Sequence, residues 1–240
     1  MTPDDRRRVL ATWVARTHAE LEATARFARL AQEMADAQVA STLVEMTRSA
    51  AEDERRHVDL CATLAREFGY EGGFPSALPG ASVAPSRLPP SRRPLYEMVS
   101  ICCVNETINA CLLSRAYQRA TWPSIRETTR QLLTDEINHG RLGWAYLAAE
   151  RGAGRGDWLS PELVPILAGA GVHEIFRPTP DGDDAETLAA YGEFSHAERI
   201  EMFEGVALDV ILPGFEAAGL DTTGCRAWMD GLMNSVRRRG

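Results

Sequence analysis

Two short stretches of the chain, Asp53-Glu54-Arg55-Arg56-His57 and Asp135-Glu136-Ile137-Asn138-His139, share the pattern Asp-Glu-x-x-His. On a helix, a three-residue spacing sets Glu and His on one face about one turn apart, so both can reach a single metal ion. Carboxylates bridge hard ions and shift between terminal and bridging modes. One imidazole per ion suits iron or manganese better than a soft all-sulfur set would. Glu-x-x-His alone is a weak signal: a third copy, Glu193-Phe-Ser-His196, lies in the tail and reads as surface or structural. What raises the first two is their repetition, and a lone glutamate for each on a separate helix, Glu20 and Glu106. Glu22 rivals Glu20, but it points some 200° away, toward the polar face. Asp53 and Asp135 are candidates to accept the remaining N–H of a ligand histidine, including one on the opposite helix pair.

Four helices must position these residues. Residues 4–35 repeat apolar or small side chains near a 3.6-residue period, from Val9, Leu10 and Trp13 through Leu21 to Phe27 and Ala31. Pro3 with Asp4 and Asp5 marks the start of that helix. The break falls at Met34–Gln38, and a second helix runs to about Phe68, stopped by Gly69. Residues 72–94, rich in Gly, Pro and Ser, form a long surface crossover. A third helix covers about 95–120, and a fourth about 125–151 with Ser124 as its cap. Hairpin, long crossover, hairpin packs as an all-α four-helix bundle with one long connection. If the turns centre on residues 37 and 121, Glu20 and Glu54 lie 17 residues from the first. Glu106 and Glu136 lie 15 from the second, so four carboxylates and two imidazoles reach one level. Glu20 falls on the inward stripe with Trp13, Thr17, Thr24 and Phe27, where an uncompensated carboxylate is costly.

The division expected is a bundle over 1–151 and a C-terminal helical cap over 152–240. Within the cap, a short helix is read at 160–175, an acidic loop at 178–185, a helix at 187–211 ended by Pro213–Gly214, and a last helix at 223–236.

The 240 residues are 45% hydrophobic and 25% charged, as in a soluble globular protein, with no membrane-length apolar run and no apolar signal segment. A cytoplasmic protein without a membrane partner is expected. The net charge of −8 argues against nucleic acid as the main partner. All 26 basic residues are arginine, which closes Schiff-base and P-loop chemistry. Five cysteines without CxxC spacing make neither a disulfide framework nor a rubredoxin-like site. Cys102 and Cys103 read as core thiols one turn before Glu106, and Tyr96, Tyr146, Trp13, Trp122 and Trp144 as packing or turn anchors. Arg237–Arg239 reads as a solvated tail.

Through Glu20, DERRH at 53–57, Glu106 and DEINH at 135–139, residues 4–151 resemble the ferritin-like di-iron carboxylate superfamily. The first motif is similar to the D-E-x-R-H form of the multicomponent monooxygenase hydroxylases. The resemblance implies two iron ions, one taking Glu20 and His57, the other Glu106 and His139, with Glu54 and Glu136 bridging. The same ligand set accommodates manganese or a mixed manganese–iron pair. It also implies a homodimer through bundle faces.

The function expected is a non-haem di-iron oxidase or oxygenase that activates O₂ to oxidise a small organic substrate. With no electron-transfer motif in the chain, it needs an external donor such as a ferredoxin. Small residues near the ligands (Ala23, Ala50, Ala110, Gly140 and Gly143) either leave room for that substrate or serve tight helix packing. The alternatives are a ferroxidase, iron-handling or peroxide-scavenging protein, and a metal-free helical interaction module.

Overall fold

The computed structural model describes residues 2–169, 175 and 185–238. In chain order the helices are α1 (Pro3–Asp36), α2 (Ser41–Glu67), α3 (Arg93–Met98), α4 (Thr107–Arg119), α5 (Pro123–Gly152), α6 (Leu163–Gly169), α7 (Ala185–Ala190), α8 (His196–Val206), α9 (Leu212–Ala217) and α10 (Thr223–Arg237). A π-helical stretch, Val99–Glu106, joins α3 to α4, and a second, Ala207–Ile211, joins α8 to α9. A 3₁₀ turn at Asp157–Glu162 precedes α6. The described residues contain no strand. No helix among them is long and apolar enough to cross a membrane.

The chain forms two compact units, each assembled from three separate segments. The first comprises Met1–Pro94, Leu113–Asp135 and Gly182–Phe194. Its base is the hairpin of α1 and α2, which pack along their lengths. Thr2 and Asp5 close a reciprocal capping box at the start of α1, with Pro3 in the first turn, so the helix begins where its backbone donors find acceptors. The connection lies at residues 37–40, later than a turn centred on 37. Measured from its middle, Glu20 stands level with His57, and Glu54 lies one turn nearer the connection. Gly69 ends α2 in the left-handed region with φ 106°, and Arg6 Nε donates to the Phe68 carbonyl at 3.1 Å.

Apolar burial holds this unit together. Val9, Trp13, Cys61, Leu64, Phe68, Leu113, Ile125 and Leu132 form one core cluster, with Tyr70, Phe74 and Tyr191 packed against it. The crossover is irregular, as expected, but it is tied to α1. Phe74 meets the His18 ring edge-on at 5.5 Å, and Arg29 Nε donates to the Gly80 carbonyl at 2.7 Å. A Cβ on Gly80 would lie 2.4 Å from the Ala25 carbonyl carbon, so only glycine permits this approach. Ser124 corrects an expectation: it lies inside α5, which starts at Pro123, and its hydroxyl donates to Glu67 Oε1 at 2.8 Å. Trp122 Nε1 donates to the same oxygen at 2.9 Å, and this shared acceptor draws Ser124 away from capping.

The second unit comprises Leu95–Leu112, Glu136–Asp181 and Ser195–Gly240. There α6 packs against the first π-helical stretch and against α10. Trp144 stacks at a tilt on Phe215, with ring centroids 5.3 Å apart, and Arg151 donates to the Ala218 and Gly219 carbonyls at 2.8 and 3.1 Å. The helix expected at 187–211 is broken: α7 ends at Ala190, and the capping box of Ser195 and Glu198 starts α8 anew. Pro213 does not end a helix. It sits in the first turn of α9, directly after a π-helical stretch whose wider turn absorbs the missing N–H. The helix expected at 160–175 resolves into the 3₁₀ turn and α6, with 170–174 outside the described residues. Of the acidic loop at 178–185, only Ala185 is described, and it opens α7.

Candidate metal centre

In the first unit, α1 supplies Glu20 and α2 supplies Glu54 and His57. All three are buried, at 6%, 1% and 0% exposure, so their charges must be balanced from within the protein. Each offers one ligand atom, and these atoms lie within 4.8 Å of one another. His57 Nδ1 is 3.2 Å from Glu54 Oε2 and 3.8 Å from Glu20 Oε2. The opposite ring nitrogen, Nε2, is 3.1 Å from Asp135 Oδ2. With Nε2–H donated to Asp135, Nδ1 points its lone pair at the two glutamates, which is the tautomer a metal ligand needs.

Charge in this cluster is unbalanced. Glu20 and Glu54 bring two carboxyl groups into one buried cluster. One imidazole faces both of them. Burial alone would drive His57 toward neutrality, but hydrogen bonding and charge from Glu20 and Glu54 outweigh it and raise its pKa from 6.5 to about 11. Burial likewise pushes the Glu20 carboxyl upward, and bonding to His57 and Glu54 reverses this and holds its pKa below the ordinary value. The metal-free site thus favours a proton on His57. Hard oxygen donors with one imidazole, buried and within mutual reach, fit a divalent iron- or manganese-type ion.

The Glu-x-x-His part of the other motif repeats this local geometry in the second unit. Glu136 and His139 are buried on α5, and His139 Nδ1 is 3.0 Å from Glu136 Oε2. In both motifs, then, Nδ1 is the nitrogen turned to the glutamate one turn back. Glu106 is buried at the end of the π-helical stretch. Asn109, on α4, donates its amide N–H to Glu136 Oε1 at 2.9 Å. The sequence offered a signal for Asn109 in its position three residues after Glu106, but not its bond.

Asp135 and Asp53 have different surroundings. Asp135 accepts from His57 Nε2 and from Arg56 Nη2, the latter at 3.3 Å. Asp53 pairs with Arg56 Nη1 at 2.6 Å, so Arg56 ties the two aspartates together. Glu22 is exposed and lies 3.7 Å from Arg26, on the polar face assigned to it. In the third Glu-x-x-His copy, His196 opens α8 while Glu193 precedes its cap, so the two share no helical face.

Of two glycines offered as substrate space, Gly143 serves packing and Gly140 has room for a methyl group. A Cβ on Gly143 would lie 2.4 Å from Cys102 Cβ and 2.9 Å from the Cys103 nitrogen, and one on Gly140 would make ordinary contact with Thr107 at 3.6 Å. Cys102 and Cys103 are buried free thiols, and burial holds Cys103 well above the usual thiol pKa. An open depression of about 390 Å³ in the first unit is lined by Ala28, Glu45, Arg48, Ser49, Ala51 and Glu52, none of them a ligand candidate. No family model, curated protein or solved structure matches the chain, so the functional reading rests on the site itself.

Proposed function

We propose that this protein is a non-haem di-iron oxidase or oxygenase that uses O₂ to oxidise a small organic molecule. The observation that carries the proposal is the burial of Glu20, Glu54 and His57 around one point, with His57 Nδ1 turned inward by Asp135. The proposed ligands are Glu20, Glu54, His57, Glu106, Glu136 and His139, in a ferritin-like four-helix bundle. When bound, the iron pair supplies the reduction of O₂ and the oxidising power directed at substrate. The protein's own part is to hold Nε2–H of His57 on Asp135, present carboxylate oxygens without a competing lysine, and keep bulk water from the buried ligands. An external electron donor completes the cycle in an oxygenase.

The test is iron content after anaerobic loading, followed by rapid mixing with O₂ while the visible spectrum is recorded. The proposal expects about two irons per chain and a new absorption that appears with oxygen. Continued oxidation of added iron into a retained mineral would place the protein with the ferroxidases instead. Failure to bind any metal would leave a helical interaction module.

A further inference from the structure

We infer that Asn109 is a positioning residue that fixes how Glu136 binds its metal. The inference rests on the metal reading given above and deepens it. Glu136 has two carboxylate oxygens in different surroundings. Oε2 lies 3.0 Å from His139 Nδ1, and Oε1 accepts the Asn109 amide N–H at 2.9 Å. An N–H donor on a carboxylate oxygen occupies a lone pair and presents positive charge there, so a cation is steered to the other oxygen. Glu136 therefore offers Oε2, on the side of the imidazole, as its stronger ligand atom, and its carboxylate is held from swinging to chelate one ion through both atoms.

The two sequence motifs are alike, yet this device belongs to one of them. Asn109 stands three residues after Glu106, and the matching position three residues after Glu20 is Ala23, which has no donor to give. The consequence is a functional asymmetry between the two glutamates of the repeat. Glu136 takes its amide donor from a neighbouring helix, and the matching position on α1 holds an alanine. A half-buried amide on α4 bonded to a buried carboxylate on α5 is also a directed contact, made across two helices by partners 27 positions apart.

Cobalt(II) titration of the full chain tests this, because its visible d–d bands report coordination number and geometry. Asn109→Leu, which keeps the size and removes the donor, should weaken binding of one of the two cobalt equivalents about 10- to 100-fold. The band of that equivalent should change as Glu136 is released, and the melting temperature of the metal-free protein should stay near wild type. Asn109→Asp, similar in size and again without the N–H, serves if the leucine variant does not fold, and should shift the same band. Wild-type cobalt spectra and affinity in the variant would overturn the inference while leaving the metal reading intact. A wild-type protein that binds no cobalt and no iron would overturn both.

Discussion

His57 lies in a fully buried position where its ring would ordinarily be neutral, and two glutamates reverse that preference. In the metal-free protein its raised pKa means the folded state holds a proton more tightly than the unfolded chain. That contribution to stability is complete below pH 6.5 and is lost as pH rises toward 11. Urea unfolding of metal-free wild type and His57→Gln at several pH values checks this. The stability gap between them should narrow as pH rises. Replacement of ligands has a separate outcome. Glu54→Ala or His139→Ala should lower iron content toward one ion or none by elemental analysis, and unchanged content in both would mean the ligands are misassigned. At this scale the sequence spoke clearly where spacing on one helix decides proximity. Glu54 with His57 and Glu136 with His139 are such pairs. The contact of Asp135 with His57 was also anticipated, from the usual partner of a ligand histidine, but the sequence was silent on Asn109 at Glu136 and on Arg56 at the same Asp135 oxygen, where packing alone decides proximity.

Helices follow from the sequence when their ends carry caps and stop residues. Pro3 and Asp5 start α1, Gly69 stops the chain after α2, and the Pro/Gly-rich crossover stays irregular. The π-helical stretch Val99–Glu106 was not legible, because a hydrogen bond to i+5 leaves no mark in composition or period. Ser124 and Pro213 misled for one reason. Both act as boundary signals in an isolated helix, and a tertiary acceptor or a widened turn removed the need. Gly143 gives the prediction that belongs here. Its Cα faces the backbone of the π-helical stretch so closely that Gly143→Ala must displace Cys102 or Cys103. Overpacking of this kind costs about 1–3 kcal/mol. For a chain of this length that lowers the melting temperature by about 2–4 °C per kcal/mol. A thermal melt at or above wild type would show that the helices can part there.

Each compact unit draws on the last third of the chain. In the first, Tyr191 packs on the core cluster and stacks against Trp122, and Thr121 N donates to the Ala190 carbonyl at 2.9 Å. In the second, Phe215 covers Trp144, and Ala218 and Gly219 accept from Arg151. A fragment ending at residue 151 loses these partners from both units. It should melt well below the full chain or aggregate, which circular dichroism and size-exclusion chromatography would show, whereas a fragment as stable as the whole would mean the tail adds nothing. The same interleaving has a consequence for synthesis. Neither unit is complete before Tyr191, Phe194 and then α10 leave the ribosome. At roughly 5–20 residues per second, the hundred or so residues beyond Asp135 take on the order of 5–20 s to make. For that interval the residues that complete each unit are missing from the nascent chain. Each unit is thus finished late in synthesis, by segments far in sequence from the helices they pack on.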